Sequence, residues 1–210
     1  MMSLENLAAR LATRLQQQLP GAAAHDPLRA IPVGDFKPTF EHKLPPKPGG
    51  VLILLYEEDG HIKFPLTKRP EYTGAHSGQV SLPGGKAEPG EDVIQTALRE
   101  GEEEIGIDRN SVTVIGKLSE FFVIPSNFIV RPVIGTVRNP VFKPDSYEVS
   151  RIISCSLFDL LLDGAIKQKE ILAAGKFKMM APHFEIEGEV VWGATAMMLN
   201  EFRTILLDLK

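Results

Sequence analysis

Residues 85–107 read GKAEPGEDVIQTALREGEEEIGI, and the fold follows from how this stretch is placed. A helix turns about 100° per residue, so Glu100, Glu103 and Glu104, at i, i+3 and i+4, share one face. Ile94, Ala97, Leu98, Gly101 and Ile105 fall on a separate stripe that faces a core. The chain enters this helix from the Gly-rich turn Pro83-Gly84-Gly85. Carboxylates gathered on one helix side repel one another. A hard divalent cation with oxygen ligands, Mg²⁺ or Mn²⁺, is the usual means of offsetting that repulsion. An ordinary exposed helix interleaves lysines at i+4. Across residues 87–108 Arg99 is the only cation.

The rest of the 210-residue chain has the composition of an ordinary globular protein, 43% hydrophobic and 24% charged. A net charge of −4 argues against a general nucleic-acid-binding surface. The single Cys155 excludes an internal disulfide framework and any multi-cysteine metal site. It reads as a small buried apolar residue in the strand-like run Arg151–Leu157. The longest apolar run, VLILLY at 51–56, is far too short to span a bilayer. With no signal-peptide pattern at the N-terminus, the cytoplasm is the expected compartment. No membrane partner is expected.

Two regions are expected, 1–48 and 49–210. Leu4, Leu7, Leu11 and Leu15 have helical spacing over residues 3–19, with Ser3 as N-cap and Pro20-Gly21 as stop. Residues 21–50, rich in Pro, Ala and Gly, read as an extended connector. The main domain then begins near Gly49. Strands are expected at Val51–Tyr56 and His61–Lys68, with a turn at Glu57–Gly60 between them. Val112–Phe122, Phe128–Val137 and Tyr147–Leu157 read as further strands. Phe158–Leu162 reads as a short helix, and Phe177–Ile186 with Glu189–Trp192 as a hairpin about Glu187-Gly188. Thr195–Leu209 is expected as a final amphipathic helix. This mixed order predicts an α/β fold, a sheet covered by helices on both faces.

The stretch resembles the Nudix box, G-x5-E-x7-R-E-U-x-E-E-x-G-U, through Gly85, Glu91, Arg99, Glu100, Glu103, Glu104, Gly106 and Ile107. Gly101 stands where the pattern has an aliphatic residue. A mid-helix glycine costs about 1 kcal/mol relative to alanine. The resemblance implies a Nudix-like α/β/α sandwich with a mixed sheet. It also implies that Arg99 orients a box carboxylate such as Glu91. Residues 66–85, LTKRPEYTGAHSGQVSLPGG, resemble the segment preceding the box in the coenzyme A pyrophosphatase family, with departures at Pro65, Pro70, Gly74 and Leu82. The likeness continues through Pro125–Phe128, Val130–Gly135, Glu148-Val149 and Val191–Ala196. It implies hydrolysis of coenzyme A or acyl-coenzyme A to 3′,5′-ADP and 4′-phosphopantetheine. The departure at Gly74, where that family has arginine, leaves NADH, ADP-ribose or a nucleoside triphosphate open as the substrate. A Nudix-like ligand-binding module without catalysis is the remaining alternative.

Cleaving a pyrophosphate requires neutralising phosphate charge and activating water, which a divalent metal does. Glu103 and Glu104 are the first candidate ligands, with Glu100 completing the set. The Gly84-Gly85 backbone can approach metal or phosphate closely. Lys68 and Arg69, at a strand end, are candidates to hold a phosphate. His76 is a candidate substrate contact, and Glu148 a further ligand or the general base. The other histidines lack metal-ligand spacing. The expected partner is a small nucleotide, and a homodimer is admitted as an assembly.

Overall fold

The computed structural model describes residues 3–34, 39–72, 77–173 and 175–209. Helix α1, Leu4–Arg14, starts where the Ser3 hydroxyl accepts a hydrogen bond from the Asn6 amide. Leu4, Leu7 and Leu11 are buried. The helix ends short of the expected Leu19, because Gln16-Gln17-Gln18 offer nothing apolar to hold another turn. The expected extended connector is corrected in part. It holds helix α2, Ala22–His25, a 3₁₀ turn at Asp26–Leu28 and a short strand β1, Ile31–Pro32. Burial of Ala24, His25 and Leu28 fixes these turns, so tertiary contacts override a composition that reads as irregular.

Strand β2, Lys47–Glu58, and β3, His61–Lys68, form a hairpin through Asp59-Gly60. Both turn residues have positive φ, as two-residue hairpin turns require. Next come β4 (Val80–Ser81), β5 (Gly84–Lys86) and helix α3 (Val93–Ile105). Strands β6 (Thr113–Lys117), β7 (Phe121–Val123) and β8 (Phe128–Thr136) follow. The expected single strand Val112–Phe122 is therefore broken at Leu118–Glu120. Strand β9, Arg151–Ser156, is shorter than expected, since Tyr147 and Glu148 lie in a turn. Helix α4 (Leu157–Leu161), β10 (Ile166–Ala173), β11 (Phe177–Ile186), β12 (Glu189–Trp192) and helix α5 (Gly193–Asp208) complete the chain.

The larger sheet runs β4-β3-β2-β8-β6, with β5 on β2, β7 on β8 and β9 on β3. β2 and β8 are parallel and its other pairs antiparallel, so the sheet is mixed. Leu52, Leu54 and Tyr56 of β2 face one apolar cluster with Ala97 and Ile105 of α3. Val51, Ile53 and Leu55 face the other with Leu7 of α1 and Phe202 of α5. Burial on both faces explains why VLILLY is continuous rather than alternating. Helices therefore cover both faces, as the α/β/α reading expects. β3 pairs with β2 only at the hairpin end, and β5 pairs with β2 at Gly49–Val51. This brings Gly84 and Gly85 beside α3.

A second sheet, with β11 paired to β1, β10 and β12, is absent from the sequence reading as a separate layer. β10, IKQKEILA, carries no strand signal in its sequence, because it has no clean apolar alternation and its residues 167–170 are exposed.

Candidate active site

Helix α3 is capped reciprocally: the Asp92 carboxylate accepts from the Gln95 amide, and the Gln95 side chain accepts from the Asp92 amide. It ends on Gly106, which has φ +71°. Gly101 has a packing reason, since a Cβ there would meet Leu52 Cδ2 at 2.8 Å and Ile107 Cδ1 at 3.2 Å. Its helix-propensity cost lets α3 lie close on β2.

The glutamates differ in environment more than their shared face suggests. Glu104 is buried, Glu100 is half-buried, and Glu103 is exposed. Residues at i, i+3 and i+4 span about 100° of helix circumference. One edge of that arc reaches the core while the other stays in solvent. Arg99 binds Glu91, Glu100 and Glu103. Its Nε donates to Glu91 Oε1 at 2.8 Å, and its Nη1 donates to Glu100 Oε1 at 2.9 Å and Glu103 Oε2 at 2.8 Å. Its Nη2 donates to the Lys86 carbonyl at 3.0 Å and to Glu91 Oε2 at 3.1 Å. These bonds raise the guanidinium's pKa, and they hold the Glu91 carboxyl down at about 2. Glu91 also accepts from Thr96 Oγ1 and the Glu88 amide.

Glu104 is the electrostatic centre. Desolvation pushes its carboxyl up to about 7, opposed by the charge of Arg69 and by the Gly84 amide, and reinforced by Glu100 and Glu148. The Gly84 N–H donates to Glu104 Oε2 at 3.3 Å, and Thr67 Oγ1 lies 3.5 Å from the same oxygen. Burial likewise raises Glu100; its Arg99 bond opposes this, and Glu103 and Glu148 add to it. Gly85 is required by proximity, because a Cβ there would meet the Glu100 carboxylate at 2.6–2.7 Å. Arg69 and Glu148 therefore sit within electrostatic reach of the acids on α3.

Lys68 is placed differently. Strand alternation puts it opposite Thr67 and Arg69. Its ammonium donates to Glu189 at 2.8 Å. His76 and Gly74 lie outside the described residues. Thr67, and the Asp145 amide that donates to the Glu104 carbonyl at 3.1 Å, were missed by the sequence reading. The period of two from Arg69 back to Thr67 is the signal that could have found the first. No local pattern points to the second. His25, given no role by the sequence, is buried and lies 3.0 Å from the fully buried Glu201.

The donors Glu100, Glu103, Glu104 and Glu148 are all oxygen, which suits a hard divalent cation. The buried, undercompensated charge of Glu104 suits one too. Among the described residues no three acidic, histidine or cysteine side chains converge to ligand distance, because Arg99 draws Glu100 and Glu103 toward itself.

The family model described as NUDIX domain matches residues 46–174. The chain belongs to the Nudix family. Among curated Nudix proteins it is 38% identical over 167 residues to "Nudix hydrolase 15, mitochondrial" of Arabidopsis thaliana, covering 73% of this chain and 56% of that one. It is 31% identical over 179 residues to "Nudix hydrolase 3" of Caenorhabditis elegans, covering 74% of this chain and 72% of that one. The chain thus spans little more than half the length of the plant relative. A solved MutT protein from Methanosarcina mazei Go1 shares the fold at 19% identity and a TM-score of 0.50, over 81% of this chain and 99% of that one. The matched Nudix segment contains β2 through β10 and all four box glutamates; α1, β11, β12 and α5 flank it. Among the described residues no helix is long and apolar enough to cross a membrane.

Proposed function

We propose that this Nudix protein hydrolyses a pyrophosphate bond in a nucleoside diphosphate linked to another group, with Mg²⁺ or Mn²⁺. The observation that carries the reading is the buried Glu104, whose carboxyl is pushed up by desolvation and by the charges of Glu100 and Glu148 and drawn down by that of Arg69. Glu100, Glu103 and Glu104 would hold the metal, and Glu148 would serve as a further ligand or as the base. When bound, the metal supplies Lewis acidity and lowers the pKa of water. Arg69, within electrostatic reach of Glu104, would bind a phosphate oxygen, leaving the acids to hold the cation. Arg99 orients Glu91, Glu100 and Glu103 rather than touching substrate. Gly85 leaves room beside the Glu100 carboxylate, and the Gly84 amide holds Glu104.

Coenzyme A or an acyl ester is the substrate we favour, from the sequence pattern of residues 66–85. Gly74 favours a second reading, in which the same chemistry acts on NADH, ADP-ribose or a nucleoside triphosphate. The cytoplasm and the division at residue 48 are proposed from the sequence. Product analysis tests the function over coenzyme A, NADH, ADP-ribose and nucleoside triphosphates with each metal. Release of 3′,5′-ADP from coenzyme A is the expected result. Cleavage of another substrate in its place selects the second reading. Binding without turnover of any of them would identify a non-catalytic module.

A further inference from the structure

We infer that Glu189, on the second sheet, is a positioning residue for the active site and that Lys68 acts as its partner; this rests on the pyrophosphatase reading for its kinetic consequence alone. Lys68 and Arg151 are directly opposite across the β3–β9 pair. Like charges so placed push two strands apart. Glu189 Oε1 lies between them, 2.8 Å from Lys68 Nζ and 3.8 Å from Arg151 Nη1. The neighbouring Glu187 accepts from Arg151 and from the Ser154 amide at 3.1 Å. Glu187 keeps a positive φ of 49° in the tight turn to β12, a conformation that L side chains rarely adopt. The turn is thus held in one shape against the strand ends.

Those strand ends lead straight into the site. The Ser150 amide and hydroxyl both donate to the Lys68 carbonyl at 2.9 Å, and the hydroxyl reaches the Arg69 carbonyl at 3.3 Å. Ser150 is two residues from Glu148, and Arg69 follows Lys68. Neutralising the cation pair therefore fixes the backbone that carries both Arg69 and Glu148. β12 lies beyond the segment that the Nudix model matches, so this contact is an addition of the flanking sheet to the site.

The test compares Glu189→Gln, Lys68→Gln and the double variant. The glutamine in Glu189→Gln keeps a hydrogen-bond acceptor and loses the charge, leaving Lys68 and Arg151 uncompensated. We expect KM for the cleaved substrate to rise about three- to tenfold in Glu189→Gln, in the range of coupling between neighbouring charges, with kcat within about twofold. We expect smaller changes in Lys68→Gln, and recovery toward wild type in the double variant. Amide exchange over residues 147–151, measured without substrate, should accelerate in Glu189→Gln and recover in the double variant. If Glu189→Gln folds poorly, the exchanged pair Lys68→Glu with Glu189→Lys replaces it and should retain wild-type KM. Unchanged KM and exchange in Glu189→Gln would overturn the inference. So would a double variant worse than either single, which would make Lys68 a substrate ligand. If the wild-type chain cleaves no pyrophosphate, the functional reading fails while the exchange measurement still decides the positioning role.

Discussion

Replacing Glu104 by glutamine should stabilise the metal-free protein at alkaline pH while removing its activity. The Glu104 carboxyl titrates at about 7 in the fold against 4.5 for a free side chain, chiefly because it is desolvated. A folded pKa raised above the unfolded one means that the native state binds the extra proton, so stability falls as pH rises from 4.5 to 7. Each unit of that gap is worth about 1.4 kcal/mol, so ionised Glu104 costs on the order of 3 kcal/mol above about pH 7. Glutamine carries no such cost, although its buried amide group gives back about 1 kcal/mol. The net gain of about 2 kcal/mol corresponds to a Tm increase of roughly 4–8 °C for a domain of this size. Melting curves in EDTA at about pH 5 and about pH 8, on either side of the titration, read the effect. Glu104→Gln should melt above wild type at the alkaline pH by several degrees more than it does at the acid one. A difference between the two proteins that does not change with pH would refute the account of Glu104 as a desolvated, undercompensated charge.

Three further outcomes are expected. Glu103→Gln should abolish turnover at saturating Mg²⁺ with little change in Tm, since Glu103 is exposed and bonds only Arg99 among the contacts described; near wild-type rates would remove this residue from the metal site. Millimolar Mn²⁺ should raise Tm over EDTA by mass action, and the same rise in a Glu103→Gln/Glu104→Gln double variant would place the cation elsewhere. Glu201→Ala should destabilise by about 3 kcal/mol as a buried charge network is broken. Burial pushes the Glu201 carboxyl up, but bonds from His25, Ser119 and Gly21 outweigh it and hold it below its usual range. The stability it adds is therefore lost as pH falls through the acid range, and acid titration of wild type against Glu201→Ala would detect that difference.

Much of the fold was legible because its main elements are locally consistent. The run VLILLY marks a buried strand, and the turn expected at Glu57–Gly60 marks its hairpin, which the structure narrows to Asp59-Gly60 by pairing Glu57 and Glu58 with β3. The spacing from Gly85 to Ile107 marks the helix, its entry turn and the acids it presents. These are properties of period, turn chemistry and charge, which a chain carries without its partners. Tertiary structure decided what depends on residues distant in sequence. It separated Glu104 from Glu103 by burial, because the sheet covers one edge of the helix face and leaves the other in water. It set Lys68 against Glu189, 121 positions away, and left Arg69 within electrostatic reach of Glu104. It turned residues 22–28 into helical turns by burying His25 against Glu201, and it formed β10 by pairing it with β11. In each case the free energy comes from a contact across the fold, for which neighbouring residues provide no pattern.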